Sequence, residues 1–300
     1  MILPASTPTH PGTVAAHYDT LDRYYRELWG EHVHHGLWER GDETPEEAVV
    51  ALVHLVAEMA ALDPGDRVCD VGCGYGGTAR ILAGAYGVRV EGVTVSPEQY
   101  RRALAHEREA RGGGVLTRPA VRYHLRDWME TRLPRETFHA VVAVESMTHM
   151  PSLQGAVDRI WRVLRPGGRF VACVWLAREG VGAPARKHLL EPICREGRLT
   201  GLPTAREFRR TLVRAGFAPG VVATDLSRYV RRTWSVTVAR GLRRLVSDRE
   251  ARRFLLDPEQ PDRIFAATMV RIWLAFHTGA MRYGIFTATR PPGSGTHTPS

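Results

Sequence analysis

The chain of 300 residues contains little cysteine and no long apolar run. Its four cysteines, at positions 69, 73, 173 and 194, match neither a disulfide framework nor a paired C-x-x-C zinc pattern. No apolar run approaches the roughly 18 residues that a membrane-spanning helix needs, and no charged-then-apolar leader opens the chain. These absences predict a cytoplasmic protein with reduced cysteines and no stable membrane insertion.

Lysine is almost absent as well, because Lys187 is the one lysine among 41 basic residues. The net charge of +9 is therefore carried by arginine. A positive charge is compatible with a nucleic acid, a membrane surface or an anionic small substrate as partner. The charge alone selects none of them.

Length and a hydrophobic content of 44% predict one large domain with an elaboration. The predicted divisions are polar disordered tails at 1–12 and 291–300, an N-terminal helical cap at 13–64, an α/β core at 65–227, a helical lid insertion at 228–280 and a last core strand at 281–290.

Short β-branched runs alternate with amphipathic stretches after residue 65. DRVCDVG, VRVEGVTVS, VRYHLRDW, HAVVAVES and RFVACVWL read as successive strands, and VVATDLS and MRYGIFTATR as two later ones. Strands that alternate with helices in this way form a parallel sheet covered on both faces. We therefore predict an α/β fold, a doubly wound and mainly parallel seven-stranded sheet, with the lid over the carboxyl ends of its strands.

The stretch VCDVGCGYGG places Gly72, Gly74 and Gly77 in the G-x-G-x-x-G pattern of a nucleotide-binding turn. Asp70, just before it, would repel the pyrophosphate of NAD but suits the sulfonium and ammonium groups of S-adenosylmethionine. Glu91 has the spacing of a ribose-binding acid, yet it lies within the second strand rather than at its end. The turn therefore favours S-adenosylmethionine over NAD.

Polar residues follow the second and third strands where further cofactor contacts are expected. Thr94, Ser96 and Gln99 can hydrogen-bond ribose hydroxyls. Asp127 can accept from an adenine amino group, and Trp128 can pack on the purine face. For these last two, a solvated loop residue and a core aromatic are the alternatives.

Together, VCDVGCGYGGTARILA, VEGVTVSPEQ, RDW, AVESMTHMP and LRPGG resemble the class I S-adenosylmethionine-dependent methyltransferases. More narrowly, YDTLDRYYRELWGEHVHHGLW, ESMTHMP and GAMRYGIFTATRP look like the tocopherol C-methyltransferase group and its bacterial relatives, which methylate carbon, oxygen or nitrogen of lipophilic small molecules. The resemblance implies a segment that folds over the methionine end of the cofactor, and contacts to the rest of it. The segment comprises Tyr18, His34, His35 and Gly36, and the other contacts are Asp70, Gly72, Gly74, Thr94, Gln99, Asp127 and Trp128.

Candidate chemistry follows the fourth strand, in Glu145-Ser146-Met147-Thr148-His149. Methyl transfer is an in-line displacement that depends on alignment, and a base is needed only where the acceptor loses a proton. His149, as an imidazole with an ordinary pKa near about 6.5, is the candidate base, and Glu145 is expected to line the cofactor pocket or share that role. Ordering of the loop is the alternative role for His149.

A cluster of histidines and a cluster of arginines raise the alternatives of a metal site and an anion site. His32, His34 and His35 lack the spacing of a metal site, so no metal is predicted, although Mg²⁺ would matter for a diphosphate substrate. The arginines of 240–253 have the spacing of a solvated helix face. They are also compatible with an anion clamp, which would make the protein a C-methyltransferase of a prenyl diphosphate.

Other classes of function receive less support from the sequence. The chain has ESMTHMP where nucleic-acid methyltransferases resemble one another in D/N-P-P-Y/F or Pro-Cys, so no nucleic-acid partner is expected. An NAD-dependent oxidoreductase is disfavoured by Asp70, and a non-catalytic binding module carries little weight. We predict an S-adenosylmethionine-dependent methyltransferase for a lipophilic small molecule of specialised metabolism, with carbon, oxygen or nitrogen as acceptor and homo-oligomerisation left open.

Overall fold

A computed structural model describes residues 3–4, 12–16, 18–20, 22, 30–112, 121–249, 252–253, 257 and 264–292. Seven strands form one sheet in the order β3-β2-β1-β4-β5-β7-β6. They are β1 (Arg67–Val71), β2 (Arg89–Thr94), β3 (Val121–Leu125), β4 (Phe138–Val144), β5 (Leu164–Ala177), β6 (Val222–Asp225) and β7 (Met281–Thr289).

The first five strands pair in parallel, and β7 runs antiparallel between β5 and β6. This arrangement confirms the predicted doubly wound, mainly parallel seven-stranded sheet. Because β1 to β4 are parallel, their carboxyl ends meet at one edge, where Asp70, Thr94 and Glu145 are close in the fold.

The helices are α1 (Pro45–Ala60), α2 (Gly77–Tyr86), α3 (Pro97–Gly112), α4 (Leu153–Val163), α5 (Glu191–Glu196), α6 (Ala205–Arg214), α7 (Ser227–Ser247) and α8 (Ile264–His277). α1 begins at a capping box in which Thr44 and Glu47 satisfy each other's backbone N–H groups, with Pro45 in the first turn. Two apolar clusters, one on each face of the sheet, form the core. No helix in the described ranges is long and apolar enough to cross a bilayer.

Three parts of the chain differ from the prediction, were not predicted, or lie outside the described residues. Leu3–Pro4 pairs antiparallel with Gly201–Leu202, whereas the polar composition of 1–12 predicted disorder for the whole segment. The helical turns from 183 to 196, including α5, were not predicted. Most of the expected helix in YDTLDRYYRELWG, part of the lid between α7 and α8, and the tail from 293 lie outside the described residues.

Candidate active site

A cavity opens at the carboxyl edge of β1 to β5 and encloses about 1560 Å³, counting its open mouth. The carboxyl edge of a parallel sheet is where open α/β folds hold their ligands. Eleven of the thirteen predicted site residues line it, and the two that do not are Gly36 and Ser96. The eleven are Tyr18, His35, Asp70, Gly72, Gly74, Thr94, Gln99, Asp127, Trp128, Glu145 and His149.

Asp70 ends β1 as a buried carboxylate, with only 2% of its surface exposed. Its Oδ2 atom is fully buried and has no hydrogen-bond partner. Burial raises the pKa of Asp70 from 3.8 to about 7. A buried acceptor without a donor, facing a cavity, is suited to a cationic or hydrogen-bond-donating ligand group.

The glycine turn lets the backbone come close to the cavity. Gly72 has φ +79°, and a Cβ atom there would lie 2.3 Å from Cβ of Ser146 at the end of β4. Gly74 has φ +55° and open space where its Cβ would be. The absence of a side chain at Gly72 therefore lets the segments that follow β1 and β4 pack closely. At Gly74 it leaves the backbone open to a ligand.

The next strand end carries a small hydrogen-bonded group. The Thr94 hydroxyl donates to Oε1 of Gln99 at 2.9 Å. The Ser96 hydroxyl accepts from the Gln99 backbone N–H at 3.1 Å, which caps the first turn of α3. Thr94 and Gln99 therefore face the cavity, whereas Ser96 supports them from behind.

Asp127 and Trp128 lie on a 3₁₀ turn after β3. One carboxylate oxygen of Asp127 accepts from the Met129 backbone N–H at 2.9 Å. The buried Trp128 ring donates from Nε1 to the Ala156 carbonyl at 3.1 Å. Both residues thus have structural contacts and also line the cavity. Trp128 therefore has the core role that was considered for it, and it lies at the cavity as well.

Glu145 follows β4 in a left-handed backbone conformation, with φ +60°. Its Oε1 accepts from the His35 backbone N–H at 2.7 Å and the Tyr283 hydroxyl at 2.8 Å, and lies 2.9 Å from His35 Nδ1. Its Oε2 accepts from Trp175 Nε1 at 2.7 Å. Burial by itself raises the pKa of Glu145, but the hydrogen bonds that its carboxylate accepts from His35 outweigh burial and lower the pKa to about 2.

The tautomer of His35 follows from its partners. Trp234 Nε1 lies 2.6 Å from His35 Nε2, and an indole N–H only donates. Nε2 must therefore accept, and Nδ1 carries the proton that it donates to Glu145. A neutral His35 thus fastens the entrance segment 30–38 to β4, and both its ring nitrogens are occupied within the protein.

Gly36 belongs to the same segment but does not line the cavity. Its backbone N–H donates to the Thr233 hydroxyl at 3.0 Å. A Cβ atom at this position would be 2.6 Å from Cβ of Ala48 on α1. Glycine is required here because two backbones approach closely, which is a packing reason rather than a ligand contact.

His32 and His34, the other members of the histidine cluster, contact each other and the start of α2. His34 Nδ1 lies 2.8 Å from the His35 carbonyl, and its Nε2 lies 3.3 Å from His32 Nδ1 and 3.4 Å from the Thr78 hydroxyl. Burial lowers the pKa of both imidazoles, that of His32 to about 3. Neutral rings in a hydrogen-bonded row account for this cluster as part of the cavity wall.

His149 faces the cavity from the 3₁₀ turn after β4. Its Nδ1 lies 3.2 Å from the Arg198 carbonyl, which only accepts, so Nδ1 carries a proton. In the neutral ring, Nε2 is then an acceptor, and it lies 3.2 Å from the Tyr18 hydroxyl. Burial first, and then the charge of Glu145, raises the pKa of Tyr18 well above its usual value, so Tyr18 stays a neutral donor.

The N-terminal segment is attached across the cofactor side of the cavity by two aspartates. Asp19 bonds the Ser96 hydroxyl at the start of α3. Asp22 accepts from Tyr75 at 2.7 Å and forms a two-pronged ion pair with Arg102, at 3.1 and 2.9 Å. The sequence analysis did not identify these aspartates, because their partners lie 53 to 80 residues away.

The remaining wall is largely apolar and comes from distant parts of the chain. The sequence analysis missed four of these residues, Trp175, Ile193, Leu199 and Trp234, from β5, α5, the turn after it and α7. Ile272 of α8 also belongs to this wall, in an apolar stretch expected to line an acceptor pocket or the core. Each of the four reads in sequence as an ordinary core residue, and no local pattern marks it as a cavity residue. The wall is suited to a lipophilic acceptor.

These residues fit S-adenosylmethionine. Asp70 offers an unpartnered buried carboxylate oxygen to a cationic group, and Gly74 leaves room for close approach. Thr94, Gln99 and Asp127 bring polar groups to the same cavity, and Trp128 brings an aromatic ring. The carboxylate of Asp70 beside the turn would repel the phosphates of a dinucleotide.

Comparison with known proteins agrees with this fit. The family model for mycolic acid cyclopropane synthetase matches residues 6–218. The 27-O-demethylrifamycin SV methyltransferase of Amycolatopsis mediterranei (strain S699) is 35% identical over 241 residues, 79% of this chain and 85% of the relative. The 2-methyl-6-phytyl-1,4-hydroquinone methyltransferase of Synechocystis sp. is 30% identical over 295 residues, 93% of this chain and 87% of the relative.

Among solved structures, that of the mycolic acid cyclopropane synthase CmaA1 complexed with S-adenosylhomocysteine and CTAB shares the fold, with a TM-score of 0.80 at 22% identity over 94% of this chain and 99% of that one. The predicted resemblance, enzyme class and cofactor are thereby confirmed. The chain belongs to the mycolic acid cyclopropane synthetase family and is an S-adenosylmethionine-dependent methyltransferase.

Proposed function

We propose that this enzyme methylates a lipophilic small molecule of specialised metabolism at an atom that gives up a proton, such as a phenolic or enolic oxygen or a ring carbon. S-adenosylmethionine supplies an electrophilic methyl carbon on its sulfonium. The observation that carries the proposal is the pair formed by His149 and Tyr18 at the cavity. Two relatives named for rifamycin and hydroquinone methylation support an acceptor of this chemistry.

His149 is arranged to receive a proton. The Arg198 carbonyl holds the ring in the tautomer whose Nε2 is an acceptor. The Tyr18 hydroxyl, which stays neutral, lies 3.2 Å from this nitrogen, and both residues line the cavity. It can take the acceptor's proton on its oxygen while giving its own proton to Nε2, or it can move aside and let the acceptor bond Nε2 directly.

Glu145 does not fit the role of base that the sequence analysis left open for it. A carboxylate with a pKa near 2 is a weak base, and its two oxygens already receive bonds from His35, Tyr283 and Trp175. We assign it a positioning role, in which it joins β4, β5 and β7 to the entrance segment.

A prenyl diphosphate acceptor receives less support. Of the described residues that line the cavity, Arg126 is the one arginine, and it lies beside Asp127 on the cofactor side. The lid arginines proposed as a clamp are not among them, and Arg244 pairs with Asp248. A diphosphate needs several forked donors at one point, whereas the acceptor wall is mainly apolar.

The test of the function is transfer of a labelled methyl group. The enzyme is incubated with methyl-deuterated S-adenosylmethionine and a panel of phenols, hydroquinones, amines and prenyl diphosphates, and products are identified by mass spectrometry. We expect deuterated methyl groups on phenols or hydroquinones. Transfer only to prenyl diphosphates would replace the proposal with the clamp, and transfer only to amines that carry no acidic proton would remove the need for His149.

The role of His149 is tested with His149→Gln. We expect turnover to fall by about 100-fold with an unchanged KM for S-adenosylmethionine, because the base acts only in the chemical step. His188→Gln, at an exposed position, is the matched control and should retain full turnover. Tyr18→Phe distinguishes proton transfer through the Tyr18 hydroxyl from direct transfer to His149. Only the first route requires the hydroxyl and should slow in this variant. Full turnover of His149→Gln across the pH range would contradict the assignment.

A further inference from the structure

The lid helices α7 and α8 have a composition unlike the rest of the molecule. Over 21 and 14 residues they contain seven arginines and no aspartate or glutamate. The whole chain, in contrast, carries 41 basic and 32 acidic residues. The connection between the helices, 248–263, is nearly balanced in sequence, with five acids and four arginines. Positive charge is therefore concentrated on the helices themselves.

Several of these arginines face solvent without an acidic partner. On α7, Arg228, Arg231, Arg232 and Arg243 are exposed, and none forms an ion pair with an acid of the described chain. Arg228 and Arg232 instead lie over the rings of Tyr229 and Trp38. Unpaired guanidiniums on one helix face are available to bind an anionic surface.

The same two helices also expose apolar side chains. Seven large hydrophobic residues are exposed in the described parts of the molecule, and four of them belong to α7 and α8. They are Leu242 at 59%, Val246 at 81%, Val270 at 44% and Leu274 at 38% exposure. Each pair has i, i+4 spacing, so each helix presents two apolar residues on one outward face.

We propose that the outward faces of α7 and α8 form a docking surface for an anionic lipid bilayer. Arginine with interspersed leucine and valine, and no acid, is the pattern of helices that lie in the headgroup region, where charge attracts and apolar side chains insert. A nucleic acid would attract the arginines but gain nothing from the four apolar side chains. Among the side chains of these helices that the structure describes, no large exposed residue is a base-stacking aromatic.

The inward faces of the same helices place this surface next to the site. Trp234 of α7, and Thr268 and Ile272 of α8, line the cavity. A bilayer held against the outer side of the lid would keep a lipophilic acceptor close to the cavity mouth. That consequence depends on the proposed function, whereas lipid binding itself does not.

The test is co-sedimentation of the full chain with phosphatidylcholine vesicles, with and without phosphatidylglycerol, at increasing NaCl. We expect binding only to the anionic vesicles, weakening with salt. Arg231→Gln with Arg243→Gln should lower the partition coefficient roughly 25-fold, at about fivefold for each arginine. Leu242→Gln with Val246→Gln should lower it at every salt concentration, because an apolar contribution is not screened.

Matched controls lie elsewhere on the surface. Arg209→Gln with Arg210→Gln removes the same charge from exposed positions of α6, and Val213→Gln with Val222→Gln changes two other exposed valines. All four variants change exposed side chains, and circular dichroism checks that they fold. Equal losses in lid and control variants, no binding to anionic vesicles, or binding to RNA in preference to vesicles would each overturn the proposal. None of these results bears on whether the enzyme transfers methyl groups.

Discussion

Two carboxylates end neighbouring strands of the same sheet and face the same cavity, yet their environments are opposite. Asp70, the next-to-last residue of β1, has a buried oxygen without a donor, and burial raises its pKa to about 7. Glu145, after β4, receives bonds from His35, Tyr283 and Trp175 and has a pKa of about 2. The two ends touch where Gly72 meets Ser146.

The difference shows how a buried acid can be assigned to a ligand or to the fold. A carboxylate whose hydrogen-bonding capacity is filled by the protein has little left for a ligand, and it holds its neighbours in place. A carboxylate left unsatisfied destabilises the empty protein and gains most when a cationic ligand arrives. We therefore propose Asp70 as the cofactor acid and Glu145 as the positioning acid.

Glu145→Gln should produce the largest effect. The amide nitrogen would face one of the donors that the carboxylate now satisfies, so we expect the free energy of unfolding to fall by about 3 kcal/mol. The measurement is urea denaturation near neutral pH. Glu130→Gln, at an exposed position, is the control and should change the value by less than about 0.5 kcal/mol. A loss as small as that of the control would remove the positioning role.

The same carboxylate sets a pH signature. Its pKa in the folded protein lies below its ordinary 4.5, so folding favours the ionised form. The stabilisation is present above about pH 4.5 and is lost as the pH falls toward 2. Glu145→Gln should flatten this part of the stability curve.

Asp70→Asn should come next, with two effects of opposite sign. Removing the charge should weaken binding of S-adenosylhomocysteine by about 10-fold to 100-fold, because the cofactor ammonium loses its anionic partner. The ligand-free variant should be more stable than wild type at pH 8 by about 2 kcal/mol, since it no longer buries an unpaired charge. Calorimetric titration and urea denaturation measure the two effects.

Exposed Asp63→Asn is the matched control and should show neither effect. The sign of the stability change follows from the raised pKa of Asp70. Its neutral carboxyl contributes stability that is fully present below the ordinary pKa of 3.8 and is lost as the pH rises through about 7. A variant that binds the cofactor normally would show that the unpartnered oxygen does not face the ammonium.

The smallest expected effect is the pH dependence of cofactor binding. Because Asp70 must ionise to pair with a cation and its pKa is about 7, affinity for S-adenosylhomocysteine should be about tenfold lower at pH 6 than at pH 8. Asp70→Asn should remove this dependence. Glu145 remains ionised throughout this range, so a slope that survives in Asp70→Asn must come from another group.

Much of the site was predictable because its residues occupy characteristic places in a local pattern. Asp70, Gly72 and Gly74 belong to one turn, and Thr94 and Asp127 follow strand ends that a parallel sheet brings to one edge. Ser96 also follows a strand end, and Gly36 was expected from the family resemblance. Ser96 caps a helix instead, and Gly36 occupies a position where two backbones pack closely. Short-range spacing identifies where a residue lies, and it does not specify which neighbour its side chain meets.

The sequence by itself determined the alternation of strands and helices, the cofactor turn and the acid beside it, because each depends on chemistry within a few residues. Only the tertiary structure decided the roles of the two acids. The donors to Glu145 lie 110, 30 and 138 residues away, on the entrance segment, β5 and β7. Hydrogen bonding and desolvation depend on which distant groups surround a carboxylate, and packing of the whole chain brings those groups together.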